Sequence, residues 1–144
     1  MIHFGTASCA ENADGYLLTQ DMMRWFWDHY LADGDQGADP LASPLRASDL
    51  SGLPAAYVIT AEFDPLRDEG EAFAARLSDA GVAVTRDRYD GHIQGLFQMP
   101  GTFPTATTAA EEIAAAMRAT MARHRPPMPR GDGVRTATRS RSAP

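Results

Sequence analysis

The period of the apolar positions changes several times along the chain, and each change marks an element. In residues 20–31, QDMMRWFWDHYL, the side chains Met22, Met23, Trp25, Phe26, Trp27, Tyr30 and Leu31 cover most of a helical circumference. Thr19 suits the N-cap and Asp21 the first turn. A helix apolar nearly all round requires burial on more than one side, so a core or lid-supporting helix is expected. Residues 55–61, AAYVITA, are apolar without alternation, which predicts a strand buried on both faces, as in a parallel sheet. From residue 67 to 80 the period becomes helical. Leu66, Gly70, Phe73, Leu77 and Ala80 form one stripe, Pro65 suits the start, and Gly81 suits the position just past the end. Residues 82–89 predict a second strand, whose Arg86, Asp87 and Arg88 favour an outer position in the sheet. A last helix is expected over residues 105–124, with Ala110, Ile113, Met117 and Met121 on its apolar face and Pro126 and Pro127 stopping it.

A strand, a helix and a second strand in this order form a right-handed parallel crossover. The expected class is therefore α/β, with two parallel strands and three main helices. Two parallel strands alone make a poor domain, and one side of the inner strand has no partner in this sequence. That is the pattern of a piece of a larger sheet. Residues 1–18 read as an irregular N-terminal segment, residues 32–40 as a loop by their Gly, Asp and Pro content, and residues 19–124 as the folded region.

The charge separates the body from the tail. Residues 1–124 hold 8 Arg against 18 acids, whereas residues 125–144 hold 5 Arg against one Asp. An acidic body argues against nucleic acid as a partner. The tail, rich in Pro, Arg, Ser and Thr, cannot bury enough apolar surface to offset its ordering entropy and is expected to be disordered. No run of 18 apolar residues predicts a membrane span. The first residues lack a basic stretch followed by an apolar one, so a cytoplasmic protein is expected. The single cysteine, Cys9, excludes an internal disulfide.

The candidate chemistry lies where strands end. In open α/β sheets functional groups gather beyond the C-terminal ends of the strands. Asp64 lies three residues past the first predicted strand, and His92 and Gln94 lie just past the second. An acid and a base could meet there. No G-x-S-x-G turn occurs, and Ser8, Ser43, Ser48, Ser51 and Ser78 all lack the flanking glycines. The four histidines are isolated, and no phosphate or dinucleotide loop is present. No cofactor or metal is expected.

Three stretches carry a family resemblance: ENADGYLLTQDMMRWFWDHYL, SPLRASDLSGLPAAYVITAEFDPLRDEGEAFAARLSDAGV and RYDGHIQGLF. Over about residues 11–123 the chain resembles the C-terminal half of the hormone-sensitive-lipase-like esterases, the α/β-hydrolase fold-3 group. The resemblance implies the C-terminal portion of an α/β-hydrolase fold and a carboxylic ester as substrate. It places the triad acid, which orients and stabilises the imidazole, on Asp64. The family pattern D-G-x-x-H-G-F puts the histidine on Gln94, and an amide has no useful basicity near neutral pH. His92, two residues earlier, is the candidate substitute base. The family's serine elbow and glycine-rich oxyanion loop have no counterpart in these residues. Two outcomes are therefore expected: a truncated, inactive hydrolase (a pseudoenzyme), or a non-catalytic module. Such a module would dock on another hydrolase polypeptide through a strand edge and the aromatic helix.

Overall fold

The computed structural model describes residues 4–32 and 34–123. The basic segment 125–144, expected to be disordered, lies outside them. The elements run α1 (Ala7–Glu11), α2 (Gln20–Tyr30), β1 (Ala56–Phe63), α3 (Arg67–Asp79), β2 (Val84–Ile93) and α4 (Pro104–Arg123). Short 3-10 turns lie at Gly34–Ala38, Pro44–Arg46 and Leu96–Gln98.

β1 and β2 pair in parallel, with Ala56 opposite Val84 through Ala61 opposite Tyr89. α3 makes the crossover. Gly70 lets it approach the sheet, since a Cβ there would lie 3.1 Å from the Thr60 methyl. Arg88 grips Glu71 through two bonds of 2.7 Å, fixing α3 along β2. Beneath α3 sits the core. Leu50, Leu77 and Val82 are buried there, with Phe73, Ala47 and Val84 packed against them. Arg76 donates to the carbonyls of Leu45 (2.5 Å) and Ala47 (2.6 Å), tying the connecting segment to the helix. α3 ends as its glycine implies. Gly81 has φ +81°, its N–H reaches Ser78 O, and the Val82 N–H reaches Leu77 O. This paired bonding satisfies the last carbonyls of a helix.

Four expectations change. First, residues 1–18 are not wholly irregular. Residues 7–11 form a helix capped by Thr6, whose hydroxyl accepts from the Cys9 N–H at 3.2 Å. Five residues carry too little periodicity to announce a helix, and this one is held by its contacts with α3. Second, β2 continues to Ile93 instead of ending at Tyr89. Between the pairs Ala61–Tyr89 and Phe63–Ile93 the register shifts, so β2 uses four steps where β1 uses two. The resulting bulge is pinned by the Gly91 N–H donating to the Glu62 carboxylate at 2.6 Å. Such bulges re-aim side chains at sheet ends.

Third, α4 buries Ala106 and Ala109, while Ala110 is exposed and Met117 and Met121 are 56% and 67% exposed. Its first turns pack near the Leu96–Gln98 turn. Further along, a groove of about 680 Å³ separates it from the strands, lined by Tyr57, Ile59, Val84, Ile113 and Met117 among others. Fourth, α2 is not a core helix among the described residues. Only Met23 is buried, and Trp25, Phe26 and Tyr30 face solvent. Its N-cap is as expected, with the Thr19 hydroxyl accepting from the Met22 N–H. No described helix is long and apolar enough to cross a membrane.

Candidate active site

The loop after β1 is organised around Asp64. Its Oδ1 accepts from the Leu66 N–H at 2.8 Å, and its carbonyl accepts from the Arg67 N–H at 3.1 Å, so the aspartate turns the chain into α3. Side chains from elsewhere then occupy the carbonyls of this loop. Ser8 donates its hydroxyl to Pro65 O at 3.0 Å, Asn12 reaches Asp64 O at 3.5 Å, and Arg67 donates to Glu62 O at 3.0 Å. Ser8 and Asp68 also bond reciprocally. The Ser8 N–H donates to Asp68 Oδ2 at 2.7 Å, and the Asp68 N–H donates to Ser8 Oγ at 3.1 Å. This is a capping box made across 60 residues of chain. Arg67 completes it with bonds of 3.0 Å to both Glu11 and Asp68.

These surroundings divide the two aspartates. Burial pushes the Asp64 carboxyl above its usual range, against the opposing pull of the Leu66 N–H and Arg67. Burial also works on Asp68, but the Ser8 N–H and Arg67 outweigh it and hold that carboxyl low. Asp64 is 9% exposed. Its Oδ2 has no hydrogen-bond partner among the described residues, in which every fully buried side-chain oxygen has one. That oxygen is therefore reachable from outside.

The turn after β2 supplies the facing wall. The Gln94 N–H donates to Phe63 O at 3.4 Å, setting Gln94 beside the end of β1. Gly95 has φ +87°, and a Cβ on it would lie 2.8 Å from Leu17, so the turn demands glycine twice over. Asp64, Gln94, Gly95, Tyr89 and Leu96 line one cavity of about 130 Å³. Burial, with Glu112 accepting from its hydroxyl at 2.8 Å, raises the Tyr89 phenol, which stays protonated.

His92 does not line this cavity. It rides on the β2 bulge, with Nδ1 2.8 Å from the Asp90 carbonyl and its ring edge-on to Tyr89 and Phe103. The structure therefore brings Asp64 together with Gln94, and it sets His92 apart from them. Ser8 is fully buried, with its hydroxyl committed to Pro65 and Asp68. Cys9 is buried and accepts from Gln20 at 3.2 Å. Among the described residues no group of three or more His, Cys, Asp or Glu could hold a metal ion.

Sequence reasoning missed the clamp from Ser8, Glu11 and Asn12. The one signal was chemical. Glu11 and Arg67 are opposite charges inside otherwise specific stretches, but pairing across 56 residues leaves no periodicity to read.

A strand–helix–strand crossover with a buried aspartate after its first strand defines a class, and comparison with known proteins gives the family. The sequence pattern of the α/β-hydrolase fold matches residues 3–98. The chain belongs to that family, among the hormone-sensitive-lipase-like esterases. It is 43% identical over 123 residues to the carboxylic ester hydrolase LipN of Mycobacterium tuberculosis, covering 82% of this chain and 32% of that protein. It is 48% identical over 73 residues to an arylesterase of Saccharolobus solfataricus, covering 51% of this chain and 24% of that one. The crystal structure of EstE1, a thermophilic carboxylesterase cloned from a metagenomic library, superposes with a TM-score of 0.79 at 36% identity. That match covers 83% of this chain and 41% of EstE1. The chain thus spans about a third of the length of the relatives it matches.

Proposed function

We propose that this chain contributes the acid-bearing part of a carboxylic-ester hydrolase site, with Asp64 as the triad acid. The observation that carries the reading is the shared cavity of Asp64 and Gln94 at the C-terminal ends of the two strands. An acid that must hold an imidazole from behind has to be buried, bonded at one oxygen and open at the other, and Asp64 meets all three demands. Gln94 occupies the place of the base and cannot take a proton. His92, the other candidate, would serve only if the bulge released its bond to Asp90 and turned the ring toward Asp64. These 144 residues hold no serine in an elbow, so the nucleophile and the oxyanion donors would come from polypeptide outside them. The substrate class is a carboxylic ester, by analogy with the relatives' names as carboxylic ester hydrolase, arylesterase and carboxylesterase.

Alone, the chain is expected to leave p-nitrophenyl acetate and hexanoate hydrolysis at the buffer rate. Mixed with the complementary two-thirds of a relative carrying the serine elbow, the Gln94→His chain should hydrolyse them and the Asp64→Asn, Gln94→His chain should not. Robust hydrolysis by the wild-type chain alone would overturn the inactivity. Equal activity in the presence and absence of Asp64 would overturn its role.

A second reading, a non-catalytic docking module, is favoured by one observation. Among the described residues β1 pairs only with β2, so its other edge carries unpaired backbone groups. Such an edge invites strand addition. A stoichiometric complex with the complementary half, formed equally well by Asp64→Asn, would support docking without catalysis.

A further inference from the structure

The later half of α4 leaves an apolar hollow uncovered, and the chain itself leads into it. α4 starts beside the Leu96–Gln98 turn, at the C-terminal ends of the strands, where Glu112 meets Tyr89 of β2. It then runs back along the sheet, so Met117 and Met121 line the groove of about 680 Å³ together with the first residues of the strands, Ala56 and Val84. Met121 stands two residues before the end of α4, so the chain leaves the helix at the mouth of the groove. The sequence continues through residues 124–144 and begins with His124, Arg125, Pro126, Pro127, Met128, Pro129 and Arg130. Three of the four residues 126–129 are proline and carry no backbone N–H. They can lie against an apolar wall without stranding donors. Proline-rich chain is also extended beforehand and loses little entropy on docking. The lengths agree. Strand residues 55–59 of the lining span about 13 Å, and four residues of extended proline-rich chain span about 12 Å. The charges agree too. At the inner end of the groove Asp87, opposite Ile59, accepts from Tyr57, and Glu112 accepts from Tyr89. Neither carboxylate forms an ion pair among the described residues. A segment that enters at Met121 and fills the groove brings Arg130 to them.

We propose that residues 126–129 of this same chain fold back into the groove as a strap, with Met128 against Ile113 and Met117 and Arg130 against Asp87 and Glu112. The tail as a whole is too polar to fold by itself, but these four residues need only line a hollow that α4 and the strands have already built. The strap covers apolar side chains that would otherwise draw other polypeptides to this face. It lies toward the N-terminal ends of the strands, away from Asp64, and does not depend on the ester-hydrolase reading.

The test is nuclear magnetic resonance of the full chain with labelled methionine and isoleucine methyl groups. The Met128 methyl should show nuclear Overhauser contacts to the methyls of Ile113 and Met117, unchanged on dilution. Met128→Asp should remove these contacts and speed amide hydrogen exchange in residues 113–121 by about tenfold. Arg130→Glu should speed it by about twofold to fivefold, and added salt should reduce the difference from wild type. Thr138→Asp, which adds a negative charge to the same tail outside the strap, should change neither readout. The proposal is overturned by the absence of the Met128 contacts, by contacts that arise only between differently labelled copies, by exchange unchanged in Met128→Asp, or by an equal effect of Thr138→Asp.

Discussion

The loop after β1 and the turn after β2 end side by side, yet they are held by different means. The first is clamped by side chains. Ser8, Asn12 and Arg67 take its carbonyls, and Asp68 locks to Ser8 in both directions. The second is held mostly by backbone geometry, through a left-handed glycine, a single long hydrogen bond to Phe63 and a bulge whose one side-chain tie is the Glu62 carboxylate on the Gly91 N–H. A clamped loop tolerates little and fixes one carboxylate. A turn fixed by backbone shape leaves its side chains free to vary, and there the amide of Gln94 stands where the resemblance expects a histidine. The same contrast divides the two faces of the sheet. α3 is sealed onto the strands by Ala74 and Leu77, whereas the later part of α4 stands off across a groove.

The largest effect tests whether repairing the weaker side is enough. Gln94→His alone should leave ester hydrolysis about 10⁶-fold below a complete triad, because no serine is supplied. Recovery in an assay with p-nitrophenyl acetate would reveal a nucleophile within these residues.

The next two compare the clamps directly by urea denaturation. Ser8→Ala removes two hydrogen bonds and leaves the Pro65 carbonyl and the Asp68 N–H without their partner, at about 2–3 kcal/mol. Gly95→Ala forces a left-handed residue against Leu17 and should cost about 1–2 kcal/mol. If the Gly95 change proved the costlier, the turn and not the loop would be the rigid partner.

A subtler effect lies in the pH dependence of the two aspartates. The folded state raises the Asp64 pKa, so this group's contribution to stability is full below its unfolded value and is lost as pH rises through the folded one. At neutral pH it is a burden, and Asp64→Asn should be more stable than wild type, with the gap closing on acidification. Asp68 is held low, so its contribution is present above the unfolded value and is lost as pH falls through the folded one. Asp68→Asn should therefore be less stable at neutral pH, again with a closing gap. Matching signs for the two variants would refute the contrast. The smallest change should be His92→Ala, within about 0.5 kcal/mol, as expected for a partly exposed ring with one bond to its own bulge.

Much of the frame was legible. α2, β1, α3 and α4 fall within a residue or two of their expected bounds, because each carries its own period, cap or stop in consecutive residues. The placing of Asp64 just past the first strand and of Pro65 at the start of α3 was legible, whereas the burial of that loop was not. The sequence missed α1, which has too few residues to show a period, and it ended β2 early at the bulge. It also misjudged the buried face of α4. Alanines at 106 and 109 compete with Ile113 and the methionines at 117 and 121, and only packing chooses between them.

By itself, then, the sequence determined the order of elements and the parallel crossover, because local periodicity and short-range turn chemistry act between neighbours in the chain, while the proposed role of Asp64 as the acid rests on the family resemblance. Only the tertiary structure decided that Asp64 shares its cavity with Gln94 and not with His92. That outcome depends on the two extra residues in the β2 bulge, on Leu17 wedged against Gly95, and on a serine 57 residues from the carbonyl it holds. Contacts between residues so far apart are fixed by the packing of elements against one another, and a linear pattern does not record them.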